Sequence, residues 1–197
     1  MKLALANLKG GAGKTTSAVH LAASLSRSGR TLLLDADPQG SALSWSETAG
    51  DFPFPVAATP VKDLHRRVPQ LAEGYTHVVI DTPPGEVAIT RSALLAADTV
   101  VVPISPSLLD IDRLRPTIEL LAEIEGMNEP RVHVLLTRLR RGTRTAKAAR
   151  EVLSELGLTV LVTEVTLREN YATSFGLTPS DLGEYTEVLA ELGGGEA

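Results

Sequence analysis

The sequence predicts an α/β fold, an open and mostly parallel sheet with helices on both faces, in one domain spanning residues 1–197. Three observations predict it. Short runs rich in Val, Leu and Ile alternate with longer amphipathic segments, the rhythm of repeated strand–helix–strand units with right-handed crossovers. The apolar runs are continuous and not alternating, as strands buried on both faces require. Aromatic residues make up only 4% of the chain, so aliphatic side chains must fill the space between sheet and helices.

In chain order, strands are expected at 2–8 (KLALANL), 30–37 (RTLLLDAD), 77–83 (HVVIDTP), 99–105 (TVVVPIS), 132–137 (VHVLLT) and 159–165 (TVLVTEV). Helical patterns fill 14–28, 86–96, 113–124, 145–156 and 179–192. Gly29, Gly126 and Gly157 follow three of these helices and Pro179 stands in the first turn of the last, where each residue type favours a helix end. The proline-rich stretch 50–60 is expected to hold a short edge strand and loops. Trp45 falls on a short helix and is expected to serve packing. No internal repeat or low-complexity linker interrupts the pattern.

Composition narrows the class. With 43% hydrophobic and 22% charged residues, the chain reads as an ordinary soluble globular protein, and no apolar run reaches the length of a membrane span. The start, MKLALANLKG, leads into a glycine-rich loop and not a cleavage site, so it reads as a strand. The absence of cysteine excludes disulfides, iron–sulfur ligation and zinc–thiolate sites and predicts a cytoplasmic location. The net charge of −5 hides an asymmetry. Between 138 and 150 lie Arg138, Arg140, Arg141, Arg144, Lys147 and Arg150 with no acid, leaving 13 basic against 24 acidic residues elsewhere. An acidic body thus carries one basic stripe.

In such sheets ligands sit beyond the carboxyl ends of the strands, and the segments KGGAGKTT, DADPQ, DTPPG, PISPS and TRLRRG all fall there. After the first strand, Gly10, Gly11, Ala12 and Gly13 let successive backbone N–H groups wrap inward, while the helix from Lys14 presents its N-terminus to the same point. Both attract a polyphosphate. Lys14 is placed to reach the β- and γ-phosphates and the Thr15 hydroxyl to bind Mg²⁺, with Thr16 closing the motif. Thr16 also occupies the place of the third glycine of G-x-G-x-x-G, which argues for a mononucleotide over a dinucleotide. A merely connecting glycine turn would not need the G-K-T ending. The loop departs from the common pattern at Leu8, where the first glycine belongs, and beside it stands a second lysine, Lys9. In an isolated chain Lys9 has no evident task. Asp35 and Asp37 can orient a water, hold an ordered loop or pair with a lysine, and Asp37 before Pro38 can also cap a turn. Asp81 ends an apolar strand where an acid holds Mg²⁺ through water. Thr15, Asp35 and Asp81 are the expected surroundings of the metal.

KGGAGKTT, DADPQGSALSW, VVIDTPPG and VVVPISPSLLDID together resemble the ParA/MinD group of deviant Walker ATPases, P-loop NTPases, and most of all the compact ParA-type partition ATPases. The resemblance runs through essentially the whole chain. It implies ATP and Mg²⁺ as cofactors and a catalytic set of Lys9, Lys14 and Asp37. Lys9 would reach phosphates bound by the other subunit of an ATP-dependent sandwich dimer. Asp37 would attend the hydrolytic water, and Asp81 matches the Walker B aspartate. Thr137 and Arg138 stand where relatives contact adenine.

The implied cycle is ATP-dependent homodimerisation, non-specific binding of nucleoid DNA, and hydrolysis stimulated by a ParB-like or other adaptor, to segregate or position a plasmid, chromosome or microcompartment. The DNA surface would comprise Arg140, Arg141, Arg144 and Lys147, with Arg168 open between DNA and nucleotide and Arg138 available to the nucleotide instead. The chain starts at its first strand without an operator-binding helix-turn-helix module, and it ends in an acidic, glycine-rich tail and not a basic membrane helix. Autorepression and membrane recruitment are therefore not expected. Two rival readings remain open: a metabolic ATP-dependent ligase or phosphotransferase, as in dethiobiotin synthesis, and a nucleotide-gated scaffold with negligible turnover.

Overall fold

The computed structural model describes residues 1–140 and 142–193. Its strands are β1 (Lys2–Leu5), β2 (Thr31–Asp35), β3 (Val56–Ala58), β4 (His77–Asp81), β5 (Thr99–Ile104) and β6 (Arg131–Leu136). All pair in parallel, in the order β3-β2-β4-β1-β5-β6. The helices are α1 (Lys14–Leu25), α2 (Ser41–Ala49), α3 (Leu64–Leu71), α4 (Val87–Ala96), α5 (Leu108–Asp112), α6 (Arg115–Glu123), α7 (Arg144–Glu155), α8 (Glu169–Ala172) and α9 (Tyr185–Glu191).

Successive strand residues point to opposite faces, and here both faces are buried. Leu3, Leu5, Leu33, Val79, Val101 and Leu135 pack with residues of α1, α2 and α9. Their neighbours Ala4, Leu32, Leu34, Val78, Ile80, Val100, Val102 and Leu136 pack with α3, α4, α6 and α7. That is why the strands read as unbroken apolar runs. No helix among the described residues is long and apolar enough to cross a membrane.

The sheet departs from expectation at one edge. The proline-rich stretch supplies β3, as expected, but 159–165 is not a strand. Among the described residues it makes one isolated parallel bridge to β6, Val160 with Val134, and a second forms just past it between Thr166 and Leu139. Side chains take the backbone groups that would continue the ladder. The Glu191 carboxylate accepts the N–H groups of Val162 and Thr163, while the Arg150 guanidinium donates to the carbonyls of Leu161 and Val162.

Two helices also differ. The pattern at 113–124 becomes α6, with Pro116 in its first turn, and a separate short helix that was not expected, α5, precedes it. The last helix starts at Tyr185, not near Pro179. Residues before it form a strap over α2, fixed where Trp45 Nε1 donates to the Leu177 carbonyl at 2.8 Å.

Register sets the site. Asp35 of β2, Asp81 of β4, Leu5 of β1 and Val101 of β5 lie in one row across the sheet. The chain leaving Leu5 enters the glycine-rich loop directly above both aspartates.

Candidate functional site

The loop between β1 and α1 is anchored at its entrance by a residue that sequence reasoning passed over. Asn7 is buried; its Nδ2 donates to the Pro103 carbonyl and its Oδ1 accepts the Lys9 N–H, each at 2.9 Å. The Leu8 N–H donates to Thr117 Oγ1 at 3.1 Å, and the Leu8 carbonyl accepts the Gly85 N–H at 2.9 Å. The crest then turns through left-handed glycines, Gly11 at φ +73° and Gly13 at φ +90°, where an L side chain would be strained. Gly13 caps α1 without any side-chain hydrogen bond, so the first N–H groups of α1 remain available to an anion.

Lys14 is buried, and its Nζ donates to the Lys9 carbonyl at 3.1 Å across the loop. Burial lowers its pKa, against the opposing pull of the Asp81 and Asp37 charges. Asp81 is fully buried and neither carboxylate oxygen has a hydrogen-bond partner of normal geometry among the described residues. Burial pushes its pKa up to about 7, although the nearby Thr15 hydroxyl and the Lys14 charge favour its ionised form and Asp35 and Asp37 oppose it. Orphaned buried carboxylates are rare and call for a cation or a polar ligand. Asp81 beside Thr15, under a loop shaped for phosphate, fits Mg²⁺; bound there with nucleotide, the ion would neutralise phosphate charge.

Asp35, at the end of β2, is tied into the loop that follows it. Its Oδ1 accepts the Asp37 N–H at 3.1 Å and its Oδ2 accepts the Leu43 N–H at 2.9 Å. Each oxygen accepts one backbone N–H, so Asp35 holds the loop between β2 and α2 in place. Asp37 faces the cleft while its Oδ1 accepts the Gln39 N–H at 2.9 Å; it both caps its turn and looks toward the phosphate loop.

The cleft beside the loop has a volume of about 440 Å³, within the range of small-molecule sites. Gly11 to Thr16 form its floor, Thr137 and Arg138 one side, and the stretch 165–168 with Tyr171 and Tyr185 the other. That second side is built on Glu184, buried at the start of α9. Its carboxylate accepts from Thr166 Oγ1, Arg168 Nη2 and the Tyr171 hydroxyl, each at 2.7 Å. Burial works against the charge, but these donors outweigh it and hold the Glu184 pKa low. Arg168 thus lies in the cleft wall. The signal in the sequence was faint, because four residues of four different types converge only in three dimensions.

Lys9 also differs from expectation. Within the chain it has a partner: its ammonium pairs with the carboxylate of Asp110 in α5. It is not among the residues lining the cleft, whereas Lys14 is. Asp110 lies in the first turn of α5, whose N-cap is Ser107, within the SPSLLDID segment that resemblance had singled out.

The basic stripe divides. Arg138 donates to the Gly11 carbonyl at 3.0 Å, and Arg150 turns onto Leu161, Val162 and Glu164. Arg140, Arg144 and Lys147 are exposed, with Lys147 3.9 Å from Glu151. Arg141 lies outside the described residues.

Comparison with known proteins agrees with this geometry. The family model for the CobQ/CobB/MinD/ParA nucleotide binding domain matches residues 3–177. Maintenance of carboxysome distribution protein A from Halothiobacillus neapolitanus is 34% identical, covering 96% of this chain and 95% of its own. The chromosome-partitioning ATPase Soj of Thermus thermophilus is 35% identical over 68% of this chain and 66% of Soj. In fold, the chain is similar to a Cyanothece McdA variant solved with ATP, at a TM-score of 0.80 and 21% identity over 98% of this chain and 96% of that one. The chain belongs to the CobQ/CobB/MinD/ParA family of nucleotide-binding domains, on its ParA/MinD side.

Proposed function

We propose that the chain is a partition ATPase that binds Mg-ATP, closes into a two-fold dimer around two nucleotides, and then holds DNA through its paired basic surfaces. Hydrolysis, slow until an adaptor protein stimulates it, returns it to a DNA-free state. The observation that carries this reading is the unequal placement of the two lysines: Lys14 lines its own subunit's cleft, while Lys9 stands outside it in a partly buried pair with Asp110. A lysine so placed serves a phosphate from elsewhere. Lys14 and Thr15 would hold the phosphates and Asp37 the attacking water, with Asp81 beneath the metal. Arg140, Arg144, Lys147 and the neighbouring Arg141 would meet DNA phosphates.

The similarity over nearly the whole chain to carboxysome distribution protein A makes a protein microcompartment the first cargo to test, ahead of a plasmid or chromosome. The deciding experiment is DNA co-sedimentation with ADP, ATP and a non-hydrolysable analogue, alongside phosphate release. DNA binding with the triphosphates alone, and slow turnover, is the expected result. Binding indifferent to nucleotide would refute the partition cycle and favour a metabolic ligase. Switching without turnover would leave a nucleotide-gated scaffold.

A further inference from the structure

Among the described residues, Arg138 is the one non-glycine with a left-handed backbone, φ +56°. That region costs free energy for a long L side chain and is the usual province of Gly, Asn or Asp. The loop has a glycine nearby, Gly142 at φ +73°, yet position 138 holds arginine. Its neighbours fix the conformation. On one side Thr137 is buried and its Oγ1 donates to the Ala12 carbonyl at 3.1 Å. On the other, Leu139 is buried and its carbonyl accepts the Leu167 N–H at 2.8 Å. Between these anchors the left-handed turn lays the Arg138 side chain over the glycine-rich loop, where Nη1 donates to the Gly11 carbonyl at 3.0 Å. A strained residue held by its surroundings points to a use for the strain.

A trans peptide sets its N–H opposite its C=O. Holding the Gly11 carbonyl therefore aims the Ala12 N–H away from Arg138, and holding the Ala12 carbonyl does the same for the Gly13 N–H. We infer that Arg138 is a positioning residue for nucleotide binding: with Thr137 it fixes two successive peptide planes so that their N–H groups face the polyphosphate. This role differs from a contact with adenine and from simple attraction of a cation for phosphate. It rests on the reading of the cleft as an ATP site.

The test is the affinity of the full chain, with Mg²⁺, for ATP, GTP and inorganic tripolyphosphate. The proteins compared are the wild type, Arg138→Gly, Arg138→Lys, Thr137→Val and the Thr137→Val/Arg138→Gly double variant. Glycine suits the left-handed backbone, so Arg138→Gly should melt close to the wild type. It should bind all three ligands more weakly by one common factor, about tenfold, the effect of one hydrogen bond. Lysine should recover part of the loss. Thr137 carries no charge, so a shared effect on the loop predicts that the double variant loses less than the product of the single losses. Loss confined to ATP would show a base contact, multiplicative losses would show an independent charge effect, and unchanged affinity would show no role; each overturns the inference. Failure of the wild type itself to bind any triphosphate would instead sink the ATP reading, and this inference with it.

Discussion

Asp110→Asn is the sharpest perturbation of the proposed dimer, because it removes the charge that holds Lys9 inside its own subunit. The Lys9 and Asp110 side chains are 23% and 13% exposed, so the pair is largely shielded from water. A hydrogen bond between charged groups of this kind contributes about 1.5–3 kcal/mol, and partial exposure places this one at the lower end. Each subunit must break its pair before Lys9 can cross to the other, so a dimer forgoes about 3 kcal/mol, close to a hundredfold in its dissociation constant.

The Lys14–Lys9 contact adds a physical link. Lys14 Nζ is bonded to the Lys9 carbonyl, and a triphosphate that draws Lys14 away loosens the residue whose side chain must leave Asp110. Asp110→Asn should therefore dimerise about a hundredfold more tightly in sedimentation velocity with a non-hydrolysable ATP analogue. Without nucleotide, the same variant should melt a few degrees lower, as loss of about 1.5 kcal/mol implies for a chain of this size. Lys9→Ala breaks the same ion pair but deletes the crossing group; it should bind ATP and remain monomeric. Opposite effects on assembly from two variants that break one pair would be hard to obtain from a structural role alone. A dimer constant for Asp110→Asn within threefold of wild type, with the melt lowered, would refute the reasoning.

Asp81→Asn should stabilise the nucleotide-free protein by about 1–3 kcal/mol, since an unpaired buried charge becomes neutral, while abolishing Mg²⁺-dependent ATP hydrolysis; a destabilised apo protein in thermal melts would contradict this. Glu184→Gln should cost about 2–3 kcal/mol of stability by removing the charge that accepts from Thr166, Arg168 and Tyr171, read as a lower denaturation midpoint. The Glu184 pKa is held below its ordinary 4.5, so the wild type keeps this contribution above about pH 4.5 and loses it as pH falls through the depressed value; the stability difference between Glu184→Gln and wild type should shrink over that range. Replacing Arg140, Arg144 and Lys147 together with alanine should lower the slope of log K for DNA against log salt by about 5 per dimer, as loss of three phosphate contacts from each of two subunits requires, with ATP affinity unchanged; an unaltered slope would place the DNA surface elsewhere.

The parts of the molecule legible in the sequence are those fixed by local chemistry. Continuous apolar strands demanded two covered faces, and the glycines with Lys14 and Thr15 demanded a phosphate loop at a strand end. The proline-rich stretch could only be an edge, and it became β3. What was not legible depends on partners distant in the chain. The apolar run 159–165 has the composition of a strand, but its ladder is captured by Arg150 and Glu191, whose positions only the packed α7 and α9 fix. Asp35 and Asp81 lie side by side in register at the ends of buried strands, and both have the sequence context of a metal ligand. Their surroundings differ because the turn after β2 brings two N–H groups onto Asp35, while no described residue gives Asp81 a comparable donor.

Lys9 shows the same limit from the other side. Its oddity was visible in the sequence, since a phosphate loop needs only one lysine per nucleotide. Its partner was not, because Asp110 is 101 residues away and one acid among 24. The ion pair does not remove the case for a second subunit; in the proposed dimer cycle it would give the lysine a resting position. A group that must act in trans needs a holding site in cis, or the exposed cation would stray to other anions before a dimer forms. The holding site must also be weak enough to yield. A shallow, partly exposed pair on a five-residue helix meets both conditions, whereas a fully buried one, at 3–5 kcal/mol per subunit, would lock the protein as a monomer.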